Sequence, residues 1–280
     1  MLRFWPLFGV ETPFDPYHRF ETSTILSPLA LGCVRSVLAF YGILTIILSL
    51  TLPVQQPAGA SFSYFSNITW WGITWYQVFA SIHTLSYART GRSLLERWPR
   101  FFQLAHSLLY TTIMVFPLMV TIVFWALQFK PSKFADPVDA WSNTTHHALN
   151  SAYALFEIIV PRTERPLWIH LPCIVILLGG YAGIAYITHA TEGFYTYAFL
   201  NPHKHKTGTF AGIIIGMGAI CIVLFVIVYL LIWLRLWLTE TVLGKPGKFA
   251  DRDTARLNSV LTVESDQDSK EKQDRMEQIV

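Results

Sequence analysis

The sequence predicts an all-α membrane protein with six transmembrane helices and both termini on the cytoplasmic side. Three observations carry that prediction. The 280 residues are 52% hydrophobic and only 14% charged, against about 25% charged in an ordinary soluble domain. Thirteen of the 39 charges fall in the last thirty residues, so residues 1–250 carry too few to cover a water-facing surface. Six stretches approach the roughly 20 apolar residues that a bilayer crossing needs. This composition excludes an ordinary cytosolic enzyme, a nucleic-acid binder and a disordered chain.

Residues 1–28 read as an N-terminal cytoplasmic segment. Met1 to Ser23 is aromatic, broken by prolines and too polar for the core of a cleavable signal peptide, so the first span is expected to act as the anchor. That span runs from Leu29 to Leu52, carries Arg35 near its start and stops at Pro53. The second runs from Asn67 to Ala88 and the third from Leu104 to Phe129. The fourth, Trp141 to Val160, is the weakest, because it holds His146, His147, Asn150 and Glu157. The fifth runs from Leu167 to His189, and the longest, the sixth, from Phe210 to Leu238. Residues 29–238 thus form one six-helix domain. Residues 239–280 are charged and lack aromatics and periodic apolar positions, the composition of a disordered cytoplasmic tail.

Orientation follows from Lys and Arg. Arg89, Arg92, Arg97 and Arg100 lie between spans two and three, and Arg162 and Arg165 between spans four and five. The first loop has no charge. In the third, Lys130 and Lys133 face Asp136 and Asp139, and the fifth holds Lys204 and Lys206. The arginine-rich loops are therefore assigned to the cytoplasm. The expected location is the endoplasmic reticulum or another endomembrane, with the plasma membrane also compatible. The sequons at Asn67 and Asn143 fall on the outer side, but both sit at a helix start close to the bilayer and read as chance matches. Cys33, Cys173 and Cys221 lie in apolar stretches without a CxxC and read as small apolar fillers. Gly212 and Gly216 form a GxxxG on span six, read as a helix-packing motif.

Polar side chains are costly inside a bilayer, so they mark candidate sites. At about 1.5 Å of rise per residue, three groups share the outer level. They are Ser66, Asn67 and Thr69 opening span two; Asn143, His146, His147 and Asn150 opening span four; and His189 closing span five. Ser66 and Thr69 share a helix face, as do Asn143 with His147 and His146 with Asn150. A hydroxyl, an imidazole and amide donors at one depth are the parts that ester hydrolysis needs. His83 and His106 lie at the opposite level; His83 is about 25 Å along the helix from Ser66, too far to be its base. Glu157, about 15 Å beyond His147, is placed near the midplane, as an interhelical hydrogen-bonding group or as a proton or substrate site.

Two blocks of residues resemble the androgen-induced protein family of multi-pass membrane hydrolases. The first is Trp141-Ser142-Asn143 with His147 and Glu157; the second is His189 with Gly193-Phe194-Tyr195-Thr196-Tyr197 and Phe199-Leu200. Tyr64-Phe65-Ser66, where that family has Phe-Leu-Thr, is a looser match, as are Phe116-Pro117 and Val123-Phe124-Trp125. The resemblance covers residues 61–200 and marks the chain as a divergent member. It implies hydrolysis of fatty acid esters of hydroxy fatty acids, with the nucleophile at Ser66 and the base at His147. Serine replaces the family's threonine, which leaves Thr69 as a rival nucleophile. Thr144 stands where the family has a second histidine. Asn150, His189, Asn143 and Glu157 would support the reaction. The reading requires no metal and no cofactor, and its partners are a long-chain lipid substrate and membrane lipids.

Two rival readings stand beside it. A haem-binding electron carrier would use His83 with His106 and His147 with His189 as axial pairs. A transporter or non-catalytic membrane component would use Glu157 as its coupling group, although no inverted repeat or broken helix pair accompanies it.

Overall fold

The computed structural model describes residues 4–52 and 58–245. Among these, the only element that is not a helix or a loop is an isolated bridge between Ser23 and Pro161. Six long helical segments follow the six apolar stretches. They are α1 (Pro28–Thr51), α2 (Phe65–Thr90), α3 (Arg100–Val123), α4 (residues 137–159), α5 (His170–Glu192) and α6 (Thr207–Leu236). Within α4, a π turn at Thr145–Leu149 separates Pro137–Thr144 from Asn150–Ile159. Further π turns extend α3 over Phe124–Gln128 and α6 over Trp237–Val242.

Four of the six, α1, α3, α5 and α6, are long and apolar enough to cross a membrane by length and composition. The other two hold the polar residues. Helix α2 buries Thr69, Thr74, Gln77, Ser81, His83 and Thr84, and α4 buries His146, His147, Asn150 and Glu157. The polar side chains that lower their hydropathy face protein. The outer surface is apolar: Val37, Phe40, Ile176, Ile187 and Ile215 are each at least 65% exposed. Such a surface belongs in lipid.

Local chemistry sets the helix ends. The Ser27 hydroxyl accepts from the Ala30 N–H at 3.2 Å, and Pro28 occupies the first turn, where its missing N–H costs nothing. Leu52 is extended, as a residue before proline must be. Asp136 caps α4 through the N–H groups of Val138 and Asp139. Helices α2 and α5 end at Gly91 and Gly193, both left-handed, a conformation that glycine adopts without a Cβ clash.

Within a bilayer, close packing and buried hydrogen bonds hold helices together more than apolar burial does. Helix α1 meets α2 at Gly32 and Gly42, where an added Cβ would fall 2.7 Å from Leu85 and 2.5 Å from Thr74. These are the packing glycines. The GxxxG of α6 is not: a Cβ at Gly212 or Gly216 would meet nothing within 4 Å. Helix α6 instead joins the core through its second half, with Cys221, Phe225, Val228 and Ile232 fully buried.

One end of the bundle gathers the N-terminal segment, the α2–α3 and α4–α5 connections and the end of α6. The N-terminal segment folds back onto it rather than hanging free. Ser23 donates to the Val160 carbonyl at 2.6 Å, and the Arg162 N–H donates to the Thr22 carbonyl at 2.9 Å. The Asp15 carboxylate accepts from the N–H groups of Arg19 and Phe20. Arg19 pairs with Glu240 at 2.8 and 3.1 Å. Helical structure thus continues to Val242, into residues 239–280 assigned to the tail from the sequence. The rest of that tail, 246–280, lies outside the described residues.

Candidate functional site

Two π turns face each other at the opposite end of the bundle. The one in α4 carries His146 and His147, and the one after α3 carries Phe124 and Trp125. The widened turn departs from the ordinary hydrogen-bond ladder, and such turns recur at functional sites. Here the Trp125 indole N–H donates to the His147 carbonyl at 3.2 Å. The His147 ring lies flat on Phe124, with centroids 3.7 Å apart and planes 4° apart. The Lys133 ammonium is 5.0 Å from the centroid of the same Phe124 ring. His147 is thus fixed by its backbone and by one ring face, while its Nδ1 has no protein partner among the described residues.

Ser66 is the second residue of α2, where the first N–H groups of a helix lack intrahelical acceptors and present positive charge. Its N–H donates to the Tyr197 hydroxyl at 3.4 Å. Burial raises the Tyr197 phenol above its ordinary value, opposed by hydrogen bonds from Ser66, so Tyr197 keeps its proton. Tyr181 stands beside it, bonded to the Ser63 carbonyl at 3.1 Å and to Thr196 at 3.2 Å.

Ser66 and His147 line one apolar cavity of about 230 Å3. Gln128, Tyr181, Tyr197, Phe199 and Leu200 share its wall, with Met119, Val120 and Val123 of α3 and Ile214, Met217 and Gly218 of α6. Among the described residues no hydrogen bond joins the Ser66 hydroxyl to His147. Proton transfer between them therefore needs a bridging water or a small closure, as is common in substrate-free sites.

The other candidates do not line this cavity, although His189 Nδ1 and Asn150 Oδ1 also lack a partner among the described residues. Thr69 donates to the Ser66 carbonyl at 2.9 Å and accepts from Asn150 at 2.9 Å. Its proton is spent on that carbonyl, and it does not line the cavity, whereas the Ser66 hydroxyl lies in the cavity wall beside Tyr197. The second Asn150 contact runs to the His146 carbonyl at 3.3 Å, so its amide N–H groups point away from the cavity. Asn143 donates to the carbonyls of Lys133 and Asp139, fastening a loop. His189 stacks on Tyr195 at 3.8 Å and is not in the cavity wall. His146 bonds the Ser142 carbonyl at 2.8 Å.

Glu157 belongs to a different structure. It lies near the end of α4 and is paired with Arg35 of α1. Arg35 Nε reaches Oε1 at 3.0 Å and Nη2 reaches Oε2 at 2.6 Å. Gln77 also donates to Oε1 at 3.1 Å and Tyr76 to Oε2 at 3.4 Å. The third Arg35 nitrogen, Nη1, donates to Phe20 O and Thr84 Oγ1, both at 2.7 Å. A carboxylate so fully engaged has no lone pair left for a transported proton or ion.

His83 and His106 touch edge to face, with centroids 5.5 Å apart, and His83 also abuts Trp98 at 4.6 Å. Axial haem ligation needs a macrocycle between two imidazoles, and touching rings leave no gap for one. His147 and His189 are each stacked on a different aromatic ring. Among the described residues no group of three His, Cys, Asp or Glu side chains is placed to hold a metal ion.

Sequence reasoning missed Tyr197, Tyr181 and Gln128 as parts of this cavity. Tyr197 stood in the aromatic run after span five, but a tyrosine near a membrane interface reads first as an interfacial anchor. Only the return of that loop over the start of α2 reveals the contact. No protein-family model, curated protein or solved structure matches this chain.

Proposed function

We propose that this protein is an intramembrane hydrolase of long-chain lipid esters, with Ser66 as nucleophile and His147 as base. One observation carries the reading: a buried hydroxyl and an uncommitted imidazole, 81 residues apart in sequence, line the same apolar cavity. In the proposed reaction, Ser66 Oγ attacks the ester carbon while His147 takes its proton. The phenol of Tyr197, held against the start of α2 by the Ser66 N–H, supplies a donor for the oxyanion. Collapse returns the proton to the departing alcohol, and water then releases the acid by the same steps in reverse order of roles.

The resemblance to the androgen-induced protein family supports this assignment. Residues from four of its separate matching stretches, Ser66, Val123, His147 and Tyr197 with Phe199 and Leu200, meet in this one cavity. In this reading fatty acid esters of hydroxy fatty acids are the substrate class, and all six helices cross an endomembrane with both termini cytoplasmic. The arginine clusters between α2 and α3 and between α4 and α5 fall at the end that holds the N-terminal segment, which supports that orientation.

The test is labelling of the detergent-solubilised protein by a fluorophosphonate probe. Wild type and Thr69→Ala are expected to label, and Ser66→Ala and His147→Ala are not. A well-folded wild type that takes no probe, or a Ser66→Ala variant that labels fully, sinks the assignment.

A further inference from the structure

A second apolar cavity, of about 520 Å3, lies between α2, α3 and α5. Its wall includes Ile68, Gly72, Pro117, Gly180 and Ile184, and it contains neither Ser66 nor His147. The two cavities share two wall residues, Phe65 and Tyr181. Phe65 directly precedes Ser66. Its ring packs on Tyr181 at 4.8 Å and on Phe116 at 5.2 Å, closing the partition. The two sides of that partition are held differently. The Tyr181 hydroxyl is pinned by Ser63 and Thr196, whereas the Phe65 side chain has only ring contacts and no hydrogen bond to hold it.

Volume and chemistry point the same way. Ligand cavities generally measure roughly 300–1,000 Å3. The cavity at Ser66 falls below that range by itself; with its neighbour the space is about 750 Å3. An ester at Ser66 extends two ways, through its acyl carbon and through its alcohol oxygen. The acyl group stays on Ser66 after the first step and must remain beside His147, which lines only the first cavity. The alcohol leaves. The second cavity is walled in part by Ile176, Leu177 and Ile184, which are 71%, 51% and 41% exposed on the lipid-facing surface.

We propose that this second cavity is a separate subsite for the alcohol-side hydrocarbon chain, and that Phe65 is the specificity-determining partition between the two chains. The inference rests on the hydrolase reading. In it, the Ser66 Oγ–acyl bond forms, the acyl–alkoxy bond breaks, the alkoxide takes the proton held by His147, and the alcohol departs through the second cavity into lipid.

Glycines in each wall allow a direct test. A Cβ at Gly180 (second cavity) or Gly218 (first cavity) would meet nothing within 4 Å, so leucine at either extends into free space. The full-length protein in phosphatidylcholine vesicles would be assayed with two esters of one long-chain acid, an ethyl ester and an ester of a long-chain secondary alcohol. The readout is the ratio of kcat/KM for the second ester over the first. Gly180→Leu is expected to lower this ratio about tenfold or more, the scale on which a filled apolar pocket discriminates. Gly72→Leu, on the facing wall, gives the same shift should Gly180→Leu fail to fold. Gly218→Leu slows both esters and leaves the ratio in place, and Phe65→Ala raises it. A ratio unmoved by both Gly180→Leu and Gly72→Leu overturns the subsite while leaving the hydrolase reading intact. A folded wild type that cleaves neither ester and takes no probe at Ser66 overturns both.

Discussion

At one end of the bundle Arg35 and Glu157 are fully buried, and every polar atom that they present finds a partner. At the other end Ser66 and His147 are also buried, yet they face an apolar cavity and Nδ1 of His147 has no protein partner. Both clusters draw on α2 and α4, and both look alike in sequence as polar interruptions of apolar helices. They differ in saturation. A buried ion pair with complete hydrogen bonding fixes how helices fit together, while a buried polar pair with open valences beside empty space is available to a ligand. In a membrane helix, burial alone therefore does not separate structure from chemistry. What sets Ser66 and His147 apart is that they line a cavity, since His83 and Gln77 also hold buried polar atoms without a partner.

Four experiments sharpen or break this contrast. The largest effect is expected on turnover. His147→Ala should cost roughly 10²–10⁴-fold in ester hydrolysis, the range of a positioned general base, with melting in detergent unchanged. A His147→Ala protein that melts far below wild type would place His147 with the structural cluster. Glu157→Ala comes next and acts on the fold. It strands the Arg35 charge in the interior, at about 3–5 kcal/mol, and so should lower the melting temperature sharply or prevent purification. Normal melting of Glu157→Ala would show that Arg35 finds another partner and that the two ends are not so different.

Tyr197→Phe tests the proposed oxyanion donor. Loss of one oxyanion donor costs on the order of 10²-fold in kcat in well-studied hydrolases, and a loss of that order is expected here. Equal kcat for Tyr197→Phe and wild type would remove the phenol from the mechanism. Thr69→Val should have the smallest effect on function. It loses a bond to the Ser66 carbonyl and one from Asn150, about 1–2 kcal/mol of stability, and keeps probe labelling. Loss of labelling would move the nucleophile one helical turn.

The structural end also carries a pH dependence. Glu21, in the N-terminal segment, accepts from Ser93 at 2.5 Å and lies near His18, with Asp15, Arg35 and Glu96 as the other charged groups acting on it. Burial first, then repulsion from Asp15, raises its carboxyl well above the ordinary value. Between those two values the folded protein holds a proton that the unfolded chain has lost, so stability falls as pH rises through that window. Glu21→Gln should flatten the slope in a melting series, and an unchanged slope would assign it to other groups.

Several things were legible in the sequence by itself. Apolar stretches of about 20 residues must become helices, because a backbone in lipid can satisfy its hydrogen bonds in few other ways. All six helical segments therefore lie where the apolar runs are. A common depth for Ser66 and His147 was also legible, since helical rise converts sequence position into height. Azimuth was not. Sequence gives height along a helix but not which neighbour a face meets, so Thr69, Asn143, Asn150 and His189 looked equal to His147. Tertiary structure separated them: a π turn rotates His147 onto Phe124, while Asn150 turns to Thr69. The same limit hid the pairing of Arg35 with Glu157, 122 residues apart, and the return of Tyr197 over the start of α2. Hydropathy and rise are properties of one segment, and a site is a property of several segments at once. The sequence alone determined that this is a helical membrane protein with misplaced polar residues. Only the packing of six helices decided which of those residues are spent on each other and which line a cavity.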